Sequence, residues 1–228
     1  MRLSGNIQAV TFDVGGTLIR PWPSVGHVYA EEAAKHGHPA LQPDCLNRQF
    51  EAAWRCKKAF DHSRCAWFEL VQATFAGALD ETALQKVFPH LFERFADPEV
   101  WEVFEDVHPT LEKLRRSHFK LGIISNWDER LRPLLERLQL GSYFETILIS
   151  VESGSAKPAR EIFEQARSFF GVPAASILHI GDSFSEDVAG AQSAGLKALF
   201  LDRQGIGGVL PSIRNLRELL DMLIISDV

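Results

Sequence analysis

The chain has 228 residues, of which 46% are hydrophobic and 24% are charged, and its formal net charge at pH 7 is −6. This length and composition are typical of a globular protein with one large domain, or with a core and a small accessory domain. The acidic balance disfavours a protein that binds the nucleic-acid backbone, and no segment approaches the ~18 continuous apolar residues of a membrane-spanning helix.

The first predicted element is a strand, because residues 7–13 read IQAVTFD, a β-rich run that ends on Asp13. Residues 21–105 contain amphipathic helical patterns and no convincing strand, which predicts a helical insert after the first strand. Further β-rich runs, separated by helical patterns, follow at residues 120–125, 145–150, 176–182 and 197–202. Strands that alternate with helices predict a parallel sheet covered on both faces, so we expect an α/β fold. A last helical pattern at residues 214–225 is expected to cover this sheet.

The helical insert holds the three cysteines, Cys45, Cys56 and Cys65. Their odd number and the lack of a CxxC pair favour reduced thiols over a disulfide framework or a metal site. The amino terminus has no apolar leader, so we expect a cytoplasmic protein. We expect neither a nucleic acid nor a membrane among its partners.

Polar side chains and glycines cluster where the predicted strands end. In an open parallel sheet, ligands bind beyond the carboxyl ends of the strands, so these residues are expected to share one site. They are Asp13, Gly15, Gly16 and Thr17 after the first strand, Ser125 and Asn126 after the second, Lys157 after the third, and Asp182 and Asp187 after the fourth.

This set of side chains suits phosphoryl transfer. A carboxylate can attack phosphorus, and Mg²⁺ prefers oxygen ligands such as the carboxylates collected here. Lys157 and Ser125 can stabilise the charge on the phosphoryl oxygens, and glycines let backbone N–H groups face a phosphate. Each residue taken alone has a simpler interpretation: Ser125 can cap a helix, Lys157 can be a surface lysine, and Ser183 with Glu186 can form a capping box. Their joint occurrence at successive strand ends favours the catalytic interpretation.

Four segments, FDVGGTL, IISN, AKP and GDSFSED, resemble in this order the four motifs of the haloacid dehalogenase superfamily of hydrolases. The resemblance implies a Rossmann-like catalytic core at residues 1–19 and 106–228, and a helical cap domain at residues 20–105. Residues 63–75 of the insert, SRCAWFELVQATF, resemble one subgroup of that superfamily, the type three domain-containing proteins.

The resemblance also implies roles for individual residues. Asp13 would be the nucleophile that forms an aspartyl-phosphate and would bind Mg²⁺, with Gly15, through its carbonyl, and Asp182 as further ligands. Asp187 would act at the metal directly or through water. A small phosphorylated substrate would be bound by Ser125, Asn126, Lys157 and Gly16, and Lys157 would bridge the nucleophile and the phosphate.

One position departs from the pattern of the superfamily. Most of its phosphatases carry a second aspartate, the general acid and base, where this chain has Gly15, and a positioned acid typically contributes ~10²–10⁴ in rate. The substrate could have a good leaving group, such as an acyl or aryl phosphate. A residue of the insert, Asp61 or His62, could supply the proton. The protein could also be a slow enzyme, or a regulatory protein that binds phosphorylated ligands.

Two other activities of the superfamily need no such aspartate. A dehalogenase needs no metal and would have little use for the acidic pair Asp182 and Asp187, and the tyrosine of its first motif is absent here. A phosphonate hydrolase needs a Schiff-base lysine in the cap, for which Lys35, Lys57, Lys58 and Lys86 are available. Two further residues near the motifs are His179, which we interpret as a core histidine, and Trp127, which could line the pocket or pack.

Overall fold

The structure is a computed structural model that describes residues 6–57, 60–205, 207 and 211–223. The strands are β1 (Ala9–Phe12), β2 (Ile19–Pro21), β3 (Trp101–Val103), β4 (Lys120–Ser125), β5 (Thr146–Ile149), β6 (Ile177–Gly181), β7 (Lys197–Leu201) and β8 (Ser212–Ile213). The α-helices are α1 (Val25–Lys35), α2 (Pro43–Cys56), α3 (Arg64–Thr74), α4 (Glu81–Arg94), α5 (Val107–Arg116), α6 (Leu131–Arg137), α7 (Ser150–Ser153), α8 (Arg160–Phe170), α9 (Gly190–Ser193) and α10 (Arg217–Met222). A π-helical segment at Phe184–Ala189 precedes α9.

The chain divides into two compact units. The insert unit is Arg20–Glu102, and the core unit consists of the residues up to Ile19 and from Val103 onward. The insert unit interrupts the core unit in sequence, because it follows β1 and precedes β4, the next strand of the core unit's sheet.

Six parallel strands form the sheet of the core unit, in the order β5-β4-β1-β6-β7-β8. In the middle of this order, Phe12 of β1 pairs with Ile123 of β4 on one side and Ile180 of β6 on the other. All four residues of β1 are buried, as expected for a central strand covered on both faces. The α/β fold predicted from the sequence is therefore confirmed. Its register brings the residues that follow β1, β4 and β6 to one edge of the sheet.

Apolar side chains hold helices against this sheet. Ile162 and Phe163 of α8 belong to a buried cluster that also contains Ile124 of β4 and Ala9 of β1. The neighbouring residue Ile123 is equally buried and points to the opposite face, because successive side chains of a strand alternate. Burial of each such side chain contributes about 1.5–3 kcal/mol, so packing on both faces keeps the strand ends in place.

Helices α1 to α4 build the insert unit around a second buried cluster that includes Tyr29, Phe75 and Val87. Three of these helices begin at a residue whose side chain accepts a hydrogen bond from a backbone N–H of the first turn: Ser24 for α1, Ser63 for α3 and Asp80 for α4. Such a cap stabilises a helix by about 1 kcal/mol.

The prediction that residues 21–105 contain no strand is wrong. Trp101–Val103 form β3, which pairs with β2 in a two-stranded sheet. Each of these strands has three residues, which is too short for a recognisable alternation of apolar and polar positions.

The last helical pattern is shorter in the structure than in the prediction. Arg217–Met222 form α10, while residues 224–225 lie outside the described residues. Within the described ranges, no helix is long and apolar enough to cross a membrane.

Candidate active site

Asp13 lies directly after the central strand β1. Its backbone N–H donates a hydrogen bond to the carbonyl of Ile180 at 2.9 Å, so the pairing of β1 with β6 fixes its position. Its Oδ1 atom accepts a hydrogen bond from Ser125 Oγ, at the end of β4, at 3.0 Å. Both side chains are buried. The structure thus brings the first two predicted site residues into contact.

Lys157 is a buried lysine that joins two carboxylates. Its Nζ atom lies 2.6 Å from Asp13 Oδ1 and 2.5 Å from Asp187 Oδ1. A buried ammonium is stable only when it is paired in this way. The interpretation of Lys157 as a solvated surface lysine is therefore excluded.

Asn126 holds the backbone of Lys157 at two points. The Asn126 side-chain amide donates to the carbonyl of Lys157 at 2.8 Å, and its oxygen accepts from the Lys157 N–H at 2.7 Å. The amide also lies 3.3 Å from Glu186 Oε2. These contacts set the position of Lys157, and a contact between Asn126 and substrate stays a prediction.

Gly16 makes room for Asp182. Gly16 has a φ of +76°, and a Cβ atom there would lie 2.2 Å from Asp182 Oδ2. A side chain at this position would therefore clash with the carboxylate and strain the backbone. The Gly16 N–H donates to the carbonyl of Ile19 at 2.8 Å, within the same turn. The predicted contact of Gly16 with phosphate stays a prediction, whereas its steric role follows from the geometry.

A buried polar chain behind the site includes His179, which sequence reasoning had placed in the core. The Nδ1 atom of His179 lies 2.9 Å from Thr11 Oγ1, and its Nε2 atom lies 3.1 Å from Asp187 Oδ1. The second oxygen of Asp187 accepts from the Ser183 N–H at 2.9 Å. His179 is indeed a core histidine with both nitrogens engaged, but it also orients Asp187. The register of β1 with β6 pairs Thr11 with His179, so two polar residues at matching positions of adjacent buried strands were the available signal.

The pKa values of the buried groups follow from this packing. Burial lowers the pKa of Lys157, but the carboxylates of Asp13 and Asp187 raise it more, so the net shift is upward and the side chain is charged. Burial raises the pKa of Asp13, while the ammonium of Lys157 works in the opposite direction. Burial also works against ionisation of Asp187, but Lys157 and His179 lower its pKa below the ordinary value. Burial lowers the pKa of His179, so the neutral imidazole can donate from Nε2 to Asp187.

Asp182 differs from the other two carboxylates because solvent reaches it. Desolvation by the surrounding protein, and then repulsion from Asp13 and Asp187, raise the pKa of Asp182 above its ordinary value. Water screens part of this effect because the residue is exposed. Asp182 is therefore a solvent-accessible carboxyl whose pKa, about 7, allows it to exchange a proton near neutral pH.

The three carboxylates form a donor set that fits a hard divalent cation. Oxygens of Asp13, Asp182 and Asp187 lie within 4.8 Å of one another. Mg²⁺ prefers oxygen ligands, and a second positive centre beside Lys157 would relieve the repulsion that raises the pKa of Asp182. Because Lys157, His179 and Ser183 already engage both oxygens of Asp187, Asp13 and Asp182 are better placed as direct ligands.

Gly15 faces an aromatic ring. A Cβ atom at Gly15 would lie 3.3 Å from Cζ3 of Trp127. The backbone of half-buried Trp127 is held by Ser150, whose hydroxyl accepts from the Trp127 N–H at 3.1 Å and donates to its carbonyl at 3.0 Å. The space beside Gly15 is therefore bordered by the edge of the indole.

The two proton donors proposed in the insert unit have different surroundings. Asp61 is exposed and accepts from the Ser63 N–H at 2.9 Å. Hydrogen bonds from Ser63 lower the pKa of Asp61, so this carboxyl is ionised near neutral pH and is a poor acid. His62 is buried beside the rings of Phe60 and Trp67.

Among the lysines proposed for a phosphonate hydrolase, the three that the structure describes do not show the surroundings of a Schiff-base lysine. Hydrogen bonds with Glu31 and Glu32 raise the pKa of Lys35. Lys57 makes a cation–π contact, with its Nζ atom 3.6 Å from the centroid of the Trp54 ring. Lys86 is exposed, and Lys58 lies outside the described residues.

A family model described as haloacid dehalogenase-like hydrolase matches residues 7–195 of this chain. The match includes the central strand, the insert unit and every residue of the site described above. The chain belongs to the haloacid dehalogenase-like hydrolase family. The resemblance found in the four motifs is therefore confirmed, and the family assigns the chain to the hydrolases.

Individual relatives support the same assignment. Haloacid dehalogenase-like hydrolase domain-containing protein 3 of Danio rerio is 34% identical over 209 residues, which cover 87% of this chain and 86% of that protein. Its name agrees with the type three subgroup that the insert segment resembles. Among solved structures, a HAD phosphatase from Thermococcus onnurineus has a TM-score of 0.72 and 29% identity, covering 97% of this chain and 100% of that chain.

A 2-haloacid dehalogenase from Pseudomonas syringae is also similar, with a TM-score of 0.65 and 28% identity over 96% of this chain and 98% of that chain. Relatives of comparable similarity thus carry names of two chemistries. The side chains of the site must decide between them.

Proposed function

We propose that this chain is a Mg²⁺-dependent phosphatase that acts on a small phosphorylated molecule through an aspartyl-phosphate on Asp13. The observation that carries the proposal is the position of Asp13 Oδ1, which lies 2.6 Å from Lys157 Nζ and 3.0 Å from Ser125 Oγ, beside two further carboxylates. In this proposal residues 1–19 and 106–228 form the catalytic core, and residues 20–105 form its cap.

The reaction begins at the carboxylate of Asp13. One of its oxygens attacks phosphorus, and the bond from phosphorus to the leaving group breaks as the new oxygen–phosphorus bond forms. Lys157 and Ser125, which contact Asp13, donate to the phosphoryl oxygens as their negative charge grows. Water then attacks the acyl-phosphate, which releases phosphate and restores Asp13.

Asp13, Asp182 and the carbonyl of Gly15 are the proposed Mg²⁺ ligands, and Asp187 acts directly or through water. When bound, the cation would supply positive charge that offsets the repulsion of an anionic substrate by the Asp13 carboxylate. Asp187 also keeps Lys157 in place, since its Oδ1 atom accepts from Nζ. Asn126 supports the same lysine through its backbone, so we assign it a positioning role in addition to the predicted substrate contact.

The surroundings of Gly15 narrow the class of substrate. Gly15 has no group that can protonate a leaving oxygen, and the edge of Trp127 borders the space beside it. A leaving group that departs without protonation, such as that of an acyl or aryl phosphate, fits these surroundings. An aryl group would also meet the edge of the half-buried indole of Trp127, and an edge-to-face contact between two aromatic rings is favourable.

Hydrolysis assays test this proposal. The purified chain is incubated with an aryl phosphate and an acyl phosphate in Mg²⁺ and, separately, in EDTA. We expect release of phosphate that requires Mg²⁺ and is lost in Asp13→Asn. Release of phosphate at the same rate in Asp13→Asn would contradict the assignment of the nucleophile.

Two other candidate functions are tested by companion measurements on the same purified chain. A phosphate-binding regulatory protein, suggested by Gly15, would be stabilised against heat by Mg²⁺ with a beryllium fluoride mimic, yet would release no phosphate. A dehalogenase would release halide from a 2-haloacid in EDTA as fast as in Mg²⁺. The cluster of Asp13, Asp182 and Asp187 favours the phosphatase, because halide displacement has no need of a cation site.

A further inference from the structure

A second cluster of potential metal ligands lies in the insert unit. It consists of Glu32 on α1, His36 at the end of the same helix, and His90 on α4. One ligand atom from each residue lies within 4.8 Å of the other two. Glu32 and His36 are four residues apart, so they lie on the same face of α1, and α1 packs against α4. We call these three residues the histidine cluster.

His36 is oriented as metal-ligating histidines usually are. Its Nδ1 atom lies 2.9 Å from the backbone carbonyl oxygen of Glu32. A carbonyl oxygen only accepts, so Nδ1 carries the proton, and in the neutral ring the lone pair is on Nε2. A hydrogen bond from one ring nitrogen to a carbonyl is the usual support of an imidazole that binds a metal through the other.

The second imidazole faces the first. The ring centroids of His36 and His90 are 4.7 Å apart, and the ring planes differ by 38°. His90 is exposed and His36 half-buried, so solvent and dissolved ions can enter from the side of His90. The exposed His90 ring can therefore turn, by side-chain rotation alone, toward an ion bound at Nε2 of His36.

The carboxylate of Glu32 lies deeper, since the residue is 6% exposed. Its Oε1 atom is 3.6 Å from His36 Nδ1, and its Oε2 atom is 3.2 Å from Lys35 Nζ. Lys35 also contacts Glu31 at 3.0 Å, so its ammonium keeps a partner if Glu32 turns toward a cation.

We propose that the histidine cluster binds a divalent transition-metal ion of the zinc type. Two imidazoles and one carboxylate are a common ligand set for Zn²⁺, with a fourth position for water. Mg²⁺ prefers oxygen ligands and is a poor match for imidazole. Tetrahedral Zn²⁺ would place its ligand atoms about 3.4 Å apart, and the three ligand atoms already lie within 4.8 Å of one another, so rotation of the exposed His90 can complete the approach.

Calorimetric titration of the chelator-treated, full-length chain with ZnCl₂ tests this site. Excess Mg²⁺ is present to compete for the carboxylates of the core unit. We expect one Zn²⁺ site whose affinity falls at least about tenfold in His90→Ala. The matched control is His38→Ala, which removes a histidine that lies near α1 and outside the cluster. The control is expected to retain the wild-type affinity.

A rescue variant separates ligation from a change in folding. Cysteine is also a zinc ligand, so His90→Cys should regain most of the affinity that His90→Ala loses. Equal affinities in wild type, His90→Ala and His38→Ala would overturn the proposal. So would the absence of binding by the wild type at about 100 µM Zn²⁺. None of these outcomes depends on phosphatase activity, so the site can fail while the proposed function stands.

Discussion

The two clusters of potential metal ligands differ in chemistry although each has three members. In the core unit, Asp13, Asp182 and Asp187 offer only oxygen, and a buried lysine contacts two of them. The histidine cluster of the insert unit offers two nitrogens and one carboxylate oxygen at a half-exposed position. Ligand type therefore suits the first cluster to a hard ion such as Mg²⁺ and the second to a softer ion such as Zn²⁺.

The two clusters also differ in net charge. The carboxylates of the core unit keep excess negative charge next to a nucleophile, which suits an anionic substrate only when a cation is added. The histidine cluster includes one carboxylate, which Lys35 already contacts, and needs no cation to balance it. We therefore expect catalysis to be abolished when metal is removed from the cluster of the core unit, and to be retained when metal is removed from the histidine cluster alone.

The largest expected effect is on Asp13. Replacing this carboxylate with Asn keeps its shape and removes the attacking oxygen anion, so phosphatase activity should fall by at least about 10⁴-fold. The exposed Asp44→Asn in α2 serves as control and should retain activity. The rate of phosphate release from an aryl phosphate in Mg²⁺ is the measurement, and activity of Asp13→Asn within tenfold of wild type would contradict the account.

Lys157→Met should lower the free energy of unfolding of the core unit. It leaves Asp13 and Asp187 buried without their cation, and loss of one partner of a buried ion pair typically costs about 3–5 kcal/mol. Lys120→Met, which removes only a hydrogen bond to the carbonyl of Phe170, is the matched control and should cost about 1 kcal/mol. Urea unfolding in EDTA measures both, and equal losses would show that Lys157 has no special role.

Gly15→Asp tests the missing proton donor. A Cβ at this position would meet Trp127 at 3.3 Å, which a small shift of the ring can accommodate. We expect kcat for an alkyl phosphate to rise by about 10²-fold, because the new carboxyl can protonate the leaving oxygen. An aryl phosphate should gain little. Gly15→Asn has the same size without the acid, and a similar gain in that variant would exclude proton transfer as the cause.

The smallest effect concerns pH. Desolvation, followed by repulsion from Asp13 and Asp187, raises the pKa of Asp182 from 3.8. A carboxyl whose pKa is raised by folding contributes stability that is present below the unfolded value and lost as the pH rises through the folded value. In EDTA, the free energy of unfolding should therefore decline as the pH rises from the ordinary pKa of 3.8 toward the folded pKa of Asp182, about 7, and Asp182→Asn should reduce the decline.

The pH dependence of the affinity for Mg²⁺ is a second test of the raised pKa of Asp182. The cation competes with the proton on Asp182, so the affinity for Mg²⁺ should weaken as the pH is lowered over the same interval. Titration of wild type at each pH measures this affinity. A Mg²⁺ affinity independent of pH, together with an unchanged stability curve in Asp182→Asn, would contradict the assigned role of Asp182.

Much of the candidate site could be predicted because its residues lie at strand ends. Asp13, Ser125 and Asp182 each follow a β-rich run, and parallel strands end at one edge of a sheet. The sequence predicts the site position of Lys157 more weakly, since only its order along the chain and its place before Pro158 distinguish it from a surface lysine. Its burial and its contacts with two carboxylates could not be predicted from the sequence.

Other features depend on contacts that sequence patterns do not contain. The position of His179 behind Asp187 depends on the register of β1 with β6. The histidine cluster depends on the packing of α1 against α4, and His90 is far from His36 in sequence. The strand Trp101–Val103 is too short to show a period. Each of these features arises from a long-range pairing, whereas the predicted ones follow from the local sequence and a general rule about sheets.

The whole proposed mechanism depends on covalent attack by Asp13. Rapid acid quenching during turnover of an acyl or aryl phosphate, followed by peptide mass spectrometry, would detect the resulting aspartyl-phosphate. We predict one phosphoryl group on the peptide that contains Asp13, present with Mg²⁺ and absent both in EDTA and in Asp13→Asn. A phosphoryl group found on another residue, or steady turnover by Asp13→Asn, would contradict the account.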